Sequence, residues 1–364
     1  MTTAPQSGGF SIVRAIGRYT AFHRGMQFGA AYQPRPVSAD LPAEDFATLR
    51  AQLGPVMAGL DRDRAAHVDR TDSVLKRAIM AAALVGLVFG WGVSGDIRLG
   101  LFLAALGVAG AVIVLSGKAM DAPRAATRHD ITDALAQHLM GFRVDPAPVI
   151  GREAMDALGL FSRVRKVTVD LCLTGQRDGR AVVASRIGLM FGHDGNRREK
   201  QGDGLTFVMV AVALPETSQS DSTTTIMATD TSRVSKVAQK LMHRDKTIPT
   251  GDPDFDARYA VTGNVARVTP QLRAGFGRLE AEARCDVTGL TDVPAGQGRR
   301  PWVVIRPGKL VVLTPLAMFD GAFEPPPYWE TLDPDLLIPA FASDLAQLNG
   351  YINAALSLPL GDIA

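Results

Sequence analysis

Charge of one sign is missing from both ends of this chain. Residues 1–39 hold four arginines (Arg14, Arg18, Arg24, Arg35) and no Asp or Glu. Residues 310–364 hold seven acids (Asp320, Glu324, Glu330, Asp333, Asp335, Asp344, Asp362) and no Lys, Arg or His. The whole chain is nearly balanced at +2, so it is neither a polyanion binder nor an acidic tail protein, and no nucleic acid is expected as a partner. Cysteine is scarce, with Cys172 and Cys285 alone in 364 residues. That excludes a small secreted domain stapled by disulfides and favours a reducing compartment. Cys285 alternates with Ala283 and Val287 as a small core residue, whereas Cys172 shares a strand face with Thr168, Asp170 and Thr174, with nothing nearby in sequence to activate it.

Catalytic signatures are also lacking. No G-x-x-x-x-G-K-[ST], G-x-S-x-G or H-E-x-x-H occurs. Asp252, Asp254 and Asp256 open like a calcium loop, but the sixth and twelfth places hold Ala257 and Gly263 where Gly and Glu are needed. His129, Asp133 and His138 share one helix, short of the three or four convergent ligands a metal requires. Arg197, Arg198 and Lys200 sit among Asp194, Glu199 and Asp203, the pattern of a solvated loop. No catalytic, cofactor-binding or metal-binding residue is assigned, and no cofactor is expected.

What the chain has is a pair of long uncharged runs. Residues 78–95 (AIMAAALVGLVFGWGVSG) and 99–117 (LGLFLAALGVAGAVIVLSG) carry no charge, and only Asp96, Ile97 and Arg98 separate them. Each approaches the ~20 apolar residues that cross a bilayer. Neither shows the polar stripe of a helix packed in a soluble bundle. The first run begins 77 residues into the chain and a second follows at once, a poor fit to a signal peptide. The expectation is a two-helix transmembrane hairpin. Lys76 and Arg77 before it, and Lys118, Arg124 and Arg128 after it, put both termini on the cytoplasmic side of a bacterial inner membrane. Gly86 with Gly90, and Gly107 with Ala111, form small-residue faces for pairing within the hairpin or between two copies.

Four regions follow: a cytoplasmic N-terminal region with amphipathic helices (1–77), the hairpin (78–117), a juxtamembrane helix and linker (118–150), and a cytoplasmic α+β domain with a largely antiparallel sheet (151–358). Phe10–Tyr32 interleaves aromatics with arginines. It reads as a segment lying on an anionic membrane, an organelle-type leader, or a helix packed on the protein itself. A helix starts near Pro42 with Phe46, Leu49, Leu53, Met57 and Leu60 on one face and Pro55 as a kink, and another buries Ile131, Leu135, Leu139 and Phe142.

Strands are expected near 163–174, 180–191, 205–214, 223–228, 255–261, 283–288, 302–305 and 309–313, with a turn at Gln176-Arg177-Asp178-Gly179. Helices are expected at 234–242, after the Thr269-Pro270 cap, and along Phe341, Leu345, Leu348, Ile352 and Leu356. Phe323–Asp335 reads as a proline-rich loop.

Several short motifs, in this layout, resemble a bacterial membrane-protein family of unknown function, the one numbered 3137 among domains of unknown function. They are Asp254-Phe255-Asp256-Ala257-Arg258-Tyr259, Ala266-Arg267, Thr269-Pro270 and Phe323-Glu324-Pro325. Val268 stands where that family usually has Tyr. The resemblance implies the architecture and no activity. The functional expectation is a membrane-anchored, non-enzymatic scaffold or adaptor that binds a protein partner, with Phe319–Trp329 as a docking loop whose Tyr328 and Trp329 suit an interface. The alternatives are a ligand- or lipid-sensing domain, or an enzyme whose site is assembled in space.

Overall fold

The computed structural model describes residues 41–95, 97–148, 150–161, 164–191, 204–215, 222–229, 247–284, 300–316, 322–326 and 330–360, with Ser11, Ile12 and Ala15 as isolated positions. The helix expected at 234–242, most of Phe10–Tyr32, the Arg197–Lys200 loop and Cys285 lie outside them. The chain divides into two compact units. One comprises 42–131 with 324–338, the other 132–323 with 339–364.

The first unit is built on two long helices, α1 (Ala43–Ser94) and α2 (Ile97–Met140). Glu44 and Asp45 in the first turn of α1 complement its positive end. Leu49, Leu53 and Met57 recur every four residues and are all buried. Pro55 lies inside α1, which continues past it. Gly95, at φ +69, turns the chain from α1 towards α2.

The two apolar runs lie antiparallel along a seam of small residues. A Cβ on Gly86 would come within 2.5 Å of Ala104 Cα, and one on Gly107 within 3.2 Å of Ala82 Cβ. Pairing within one hairpin therefore uses both Gly86 and Gly107. Among the described residues no helix holds a run long and apolar enough to cross a membrane. The structure thus gives a helical hairpin, and its described residues do not support the membrane span that was expected. The helix expected around Ile131–Phe142 is not separate, because α2 runs on unbroken to Met140.

The second unit is an eight-stranded sheet, antiparallel throughout, in the order β1-β2-β3-β4-β8-β7-β5-β6. The strands are β1 (Arg143–Val144), β2 (Val164–Arg177), β3 (Arg180–Phe191), β4 (Gly204–Ala213), β5 (Thr224–Ala228), β6 (Tyr259–Gly263), β7 (Trp302–Arg306) and β8 (Lys309–Leu316). Asp178 and Gly179 both have positive φ (52° and 72°), the two-residue hairpin turn that an Asp-Gly pair favours. The α+β class with a largely antiparallel sheet is as expected.

Register sorts the side chains. Val208, Val210 and Val212 pair with Thr314, Val312 and Leu310 on one face. Helix α6 (Pro334–Leu356) covers that face through a hydrogen bond between the Tyr351 and Thr314 hydroxyls. Helix α5 (Pro270–Arg284) covers it further along. Phe276 of α5 meets the Tyr259 ring edge-on at 5.0 Å and the Phe255 ring at 5.5 Å. The opposite face carries an aromatic cluster in which Phe207 lies 5.3 Å from Trp302 and Phe161 5.5 Å from Phe207.

Three expectations change. Phe255 begins no strand: Asp252 caps a short helix, α4 (Pro253–Asp256), with Pro253 in its first turn, and β6 starts at Tyr259. Ala283 and Arg284 end α5 instead of opening a strand, and residues 285–288 lie outside the described residues. Cys172 is buried: an extra residue between Val169 and Leu171 shifts the register and places Cys172 on the face of Val169 and Ile187 instead of that of Thr168, while Leu171 and Leu173 are buried on the opposite face. The short helix α3 is Arg152–Asp156.

Candidate functional site

Residues that could do chemistry collect in two places, one in each unit. In the first unit, the described parts of the segment 324–335 (324–326 and 330–335) meet the helical stalk through a series of polar contacts. Glu324 receives Arg124 Nη2 at 2.6 Å and faces Arg128 Nη1 at 3.8 Å. Arg64, only 5% exposed, donates to the Pro326 carbonyl at 3.0 Å. The Asp61 carboxylate accepts the Leu332 N–H at 2.9 and 3.1 Å, and Arg50 pairs with Asp335 at 2.6 Å. Burial lifts the Asp61 carboxyl above its ordinary range, against the opposing pull of the Leu332 N–H and Arg64. Burial likewise lowers the Arg64 guanidinium, with Asp61 acting against it. These are the signatures of charges taken out of water and kept there by partners.

Part of the Phe319–Trp329 docking loop belongs to this arrangement. Ala322, Phe323, Pro325 and Pro326 are buried. Phe323, at φ +55, is held in the second unit. Its N–H donates to the buried Asp344 carboxylate at 2.7 Å, and its ring meets Phe341 edge-on. Arg186 donates to the Ala322 carbonyl at 3.3 Å. The described part of this segment is thus folded onto the protein; Phe319, Asp320, Gly321, Pro327, Tyr328 and Trp329 lie outside the described residues.

In the second unit, Glu280 is buried and its Oε1 accepts both the Tyr259 hydroxyl at 2.7 Å and Arg258 Nη1 at 2.9 Å. Burial raises the Tyr259 phenol, and the Glu280 carboxylate raises it further by accepting its proton in a hydrogen bond. Burial also raises Tyr351. Both phenols are therefore locked in the neutral form. Because the folded-state values lie above the unfolded one, the stabilisation is complete below about pH 10 and declines as pH rises beyond it. Each tyrosine should then cost about 1.4 kcal/mol of stability per pH unit. An alkaline spectrophotometric titration should show these two of the five tyrosines ionising only with unfolding; ionisation of all five in the folded protein would contradict this.

The residues singled out by motif take structural roles. Asp252 caps α4, accepting Phe255 N–H at 3.1 Å, and lies 3.4 Å from Arg273. Asp256 accepts the Thr250 N–H and hydroxyl. Asp133 accepts Val144 N–H at 2.7 Å, tying α2 to β1. Cys172 accepts the Ser185 hydroxyl at 3.2 Å, and burial raises its thiol, the reverse of what a nucleophile needs. Among the described residues no three His, Cys, Asp or Glu side chains gather closely enough to hold a metal ion. The contacts of 324–335 with the stalk escaped sequence reasoning because their partners lie about 200 to 285 positions apart. The one available signal was the absence of any base after residue 310, which leaves that segment's acids to find cations elsewhere. No family model, curated protein or solved structure matches this chain.

Proposed function

We propose that this chain is an integral membrane protein whose helical hairpin holds the β-sheet unit at the cytoplasmic face, where it serves as a scaffold for a protein partner. One observation carries the anchor: large apolar side chains on both helices of the hairpin face outward. Met80 is 74% exposed, Phe89 62% and Phe102 61%, and Leu84, Val85, Val88, Leu101 and Leu106 are exposed beside them. A contiguous apolar surface of this kind needs a cover. The small-residue seam is already filled by the hairpin itself, so the outward residues are the ones left for lipid. Sequence adds the length of the two runs and the basic residues flanking them. The layout shared with the family numbered 3137 belongs to the same proposal.

The scaffold reading is supported by the use of the polar clusters just described. Asp344, Asp61 and Arg64 hold backbone groups, and Glu280 holds Tyr259 and Arg258. Alkaline carbonate extraction of membranes tests the anchor: the chain should stay in the pellet, and release to the supernatant would contradict it. Chemical crosslinking in intact membranes tests the scaffold. It should join the sheet unit to a defined second protein, and a chain linked to nothing but itself would contradict that part.

A further inference from the structure

We propose that two copies of this chain pair through the open edge of the sheet, β2 against β2, antiparallel about a two-fold axis at Thr168.

β2 is long, and β1 covers only one end of its outer side. β1 pairs with Leu173 and Thr174, and the Asp145 N–H donates to the Cys172 carbonyl at 2.8 Å. Among the described residues no strand lies outside Val164–Leu171. An edge left open in this way is a template for another strand. The bond from Asp145 shows that the Cys172 carbonyl points outward. Main-chain groups alternate in direction along a strand, and the one extra residue at Asp170 shifts the alternation. The N–H and C=O groups of Val169 and Val167 therefore point outward as well.

The side chains decide which strand fits. Lys166 and Thr168 pair with Met190 and Gly188 of β3 on one face, and both are exposed. The Asp170 carboxylate lies 3.5 Å from Arg186, two residues from Gly188, and so takes that face too. Val167 and Val169 lie on the other face, paired with Leu189 and Ile187. A second copy running the opposite way sets Lys166 against the partner's Asp170, Val167 against the partner's Val169, and Thr168 against the partner's Thr168. Opposite charges, β-branched pairs and facing threonines are the cross-strand pairs that stabilise a sheet. Val167 and Val169 exchange main-chain hydrogen bonds across the axis. Each pair off the axis recurs by symmetry, as an isologous interface requires.

Lys166 also makes the edge selective. A lysine on an edge strand deters most partners. It accepts one that brings an acid opposite it, and this chain's own β2 does. The register shifts between Val164 and Lys166 and between Val169 and Leu171 confine the regular run to 166–170. Pairing this short is weak between free molecules. Its strength rests on the membrane anchoring proposed above, which holds copies in one plane at high effective concentration.

Disulfide crosslinking of the full chain in isolated membranes tests the pairing. Cys172 and Cys285 are replaced by alanine and one cysteine is returned. Across the axis the two residues at 168 would have Cα atoms about 4.5 Å apart, within disulfide reach. Those at 166 would be more than ~13 Å apart, beyond it. Mild oxidation should therefore give at least roughly tenfold more dimer from Thr168→Cys than from Lys166→Cys. Membranes holding Lys166→Cys and Asp170→Cys chains together should give the mixed dimer. Adding Lys166→Glu to Thr168→Cys should lower its yield to that of Lys166→Cys. Equal yields from Thr168→Cys and Lys166→Cys overturn the proposal, as does a Thr168→Cys chain that stays monomeric in the membrane. A chain that alkaline carbonate releases overturns the anchor instead. The same two variants oxidised as purified protein at high concentration then decide the pairing: an excess from Thr168→Cys supports it, and equal yields overturn it.

Discussion

Gly86→Val should destabilise the hairpin by ~3 kcal/mol, the upper end of the usual overpacking loss. Even the first atom of the new side chain would fall within 2.5 Å of Ala104 Cα, a backbone atom that cannot turn aside. The helices must separate there, and the contacts at Gly107 and Ala82 are lost with them, because a rigid pair of helices cannot part at one point and stay closed at the next. Gly110 gives the control. Nothing lies within 4 Å of a Cβ built on it, so Gly110→Val should be nearly neutral. Denaturant titration of the detergent-solubilised proteins, followed by helical circular dichroism, measures both. Similar losses from the two variants would mean that valine is costly anywhere in these helices and that the seam is not at Gly86.

The second large effect belongs to Trp302→Ala. Trp302 is 1% exposed, lies 5.3 Å from the Phe207 ring and 5.7 Å from Phe161, and pairs with Leu313 across the β7–β8 ladder. Truncation deletes the largest side chain of the cluster from a site walled by sheet on one side. Such a site collapses poorly, and the expected loss is ~3–5 kcal/mol. For a unit of roughly 200 residues that corresponds to a fall in Tm of about 10–15 °C. Trp302→Phe, which keeps a ring there, should recover more than half of it. A fall of less than ~3 °C for Trp302→Ala would mean that the cluster is not where the sheet's stability resides.

Local chemistry was legible in this sequence where one segment decides its own structure. Asp178-Gly179 specifies its hairpin turn, and the Thr269 hydroxyl accepts the Leu272 N–H at 3.2 Å to start α5 as a cap should. The alternation of β2 and β3 gave their pairing, and Gly86 and Gly107 marked the helix seam. Where two local signals compete, the stronger one was missed. Phe255, Tyr259 and Val261 alternate like a strand, but Asp252 and Pro253 start a helix first. The fate of Cys172 turned on one extra residue in β2, which no periodicity predicts. The segment 324–335 was legible only as a proline-rich loop. Its polar partners include arginines in α1 and α2 that are distant in sequence, and contacts across such distances leave no pattern in either segment.

The proposed membrane orientation of the hairpin is the central functional claim, and impermeant maleimide labelling of intact cells tests it most directly. In a chain with Cys172 and Cys285 replaced by alanine, a single cysteine is placed at Ile97, exposed beside the turn, or at Asp69, exposed on the stalk. The account predicts that the Ile97→Cys protein labels from outside and the Asp69→Cys protein only after the membrane is permeabilised. Labelling of both only after permeabilisation, or of Asp69→Cys from outside, would contradict it.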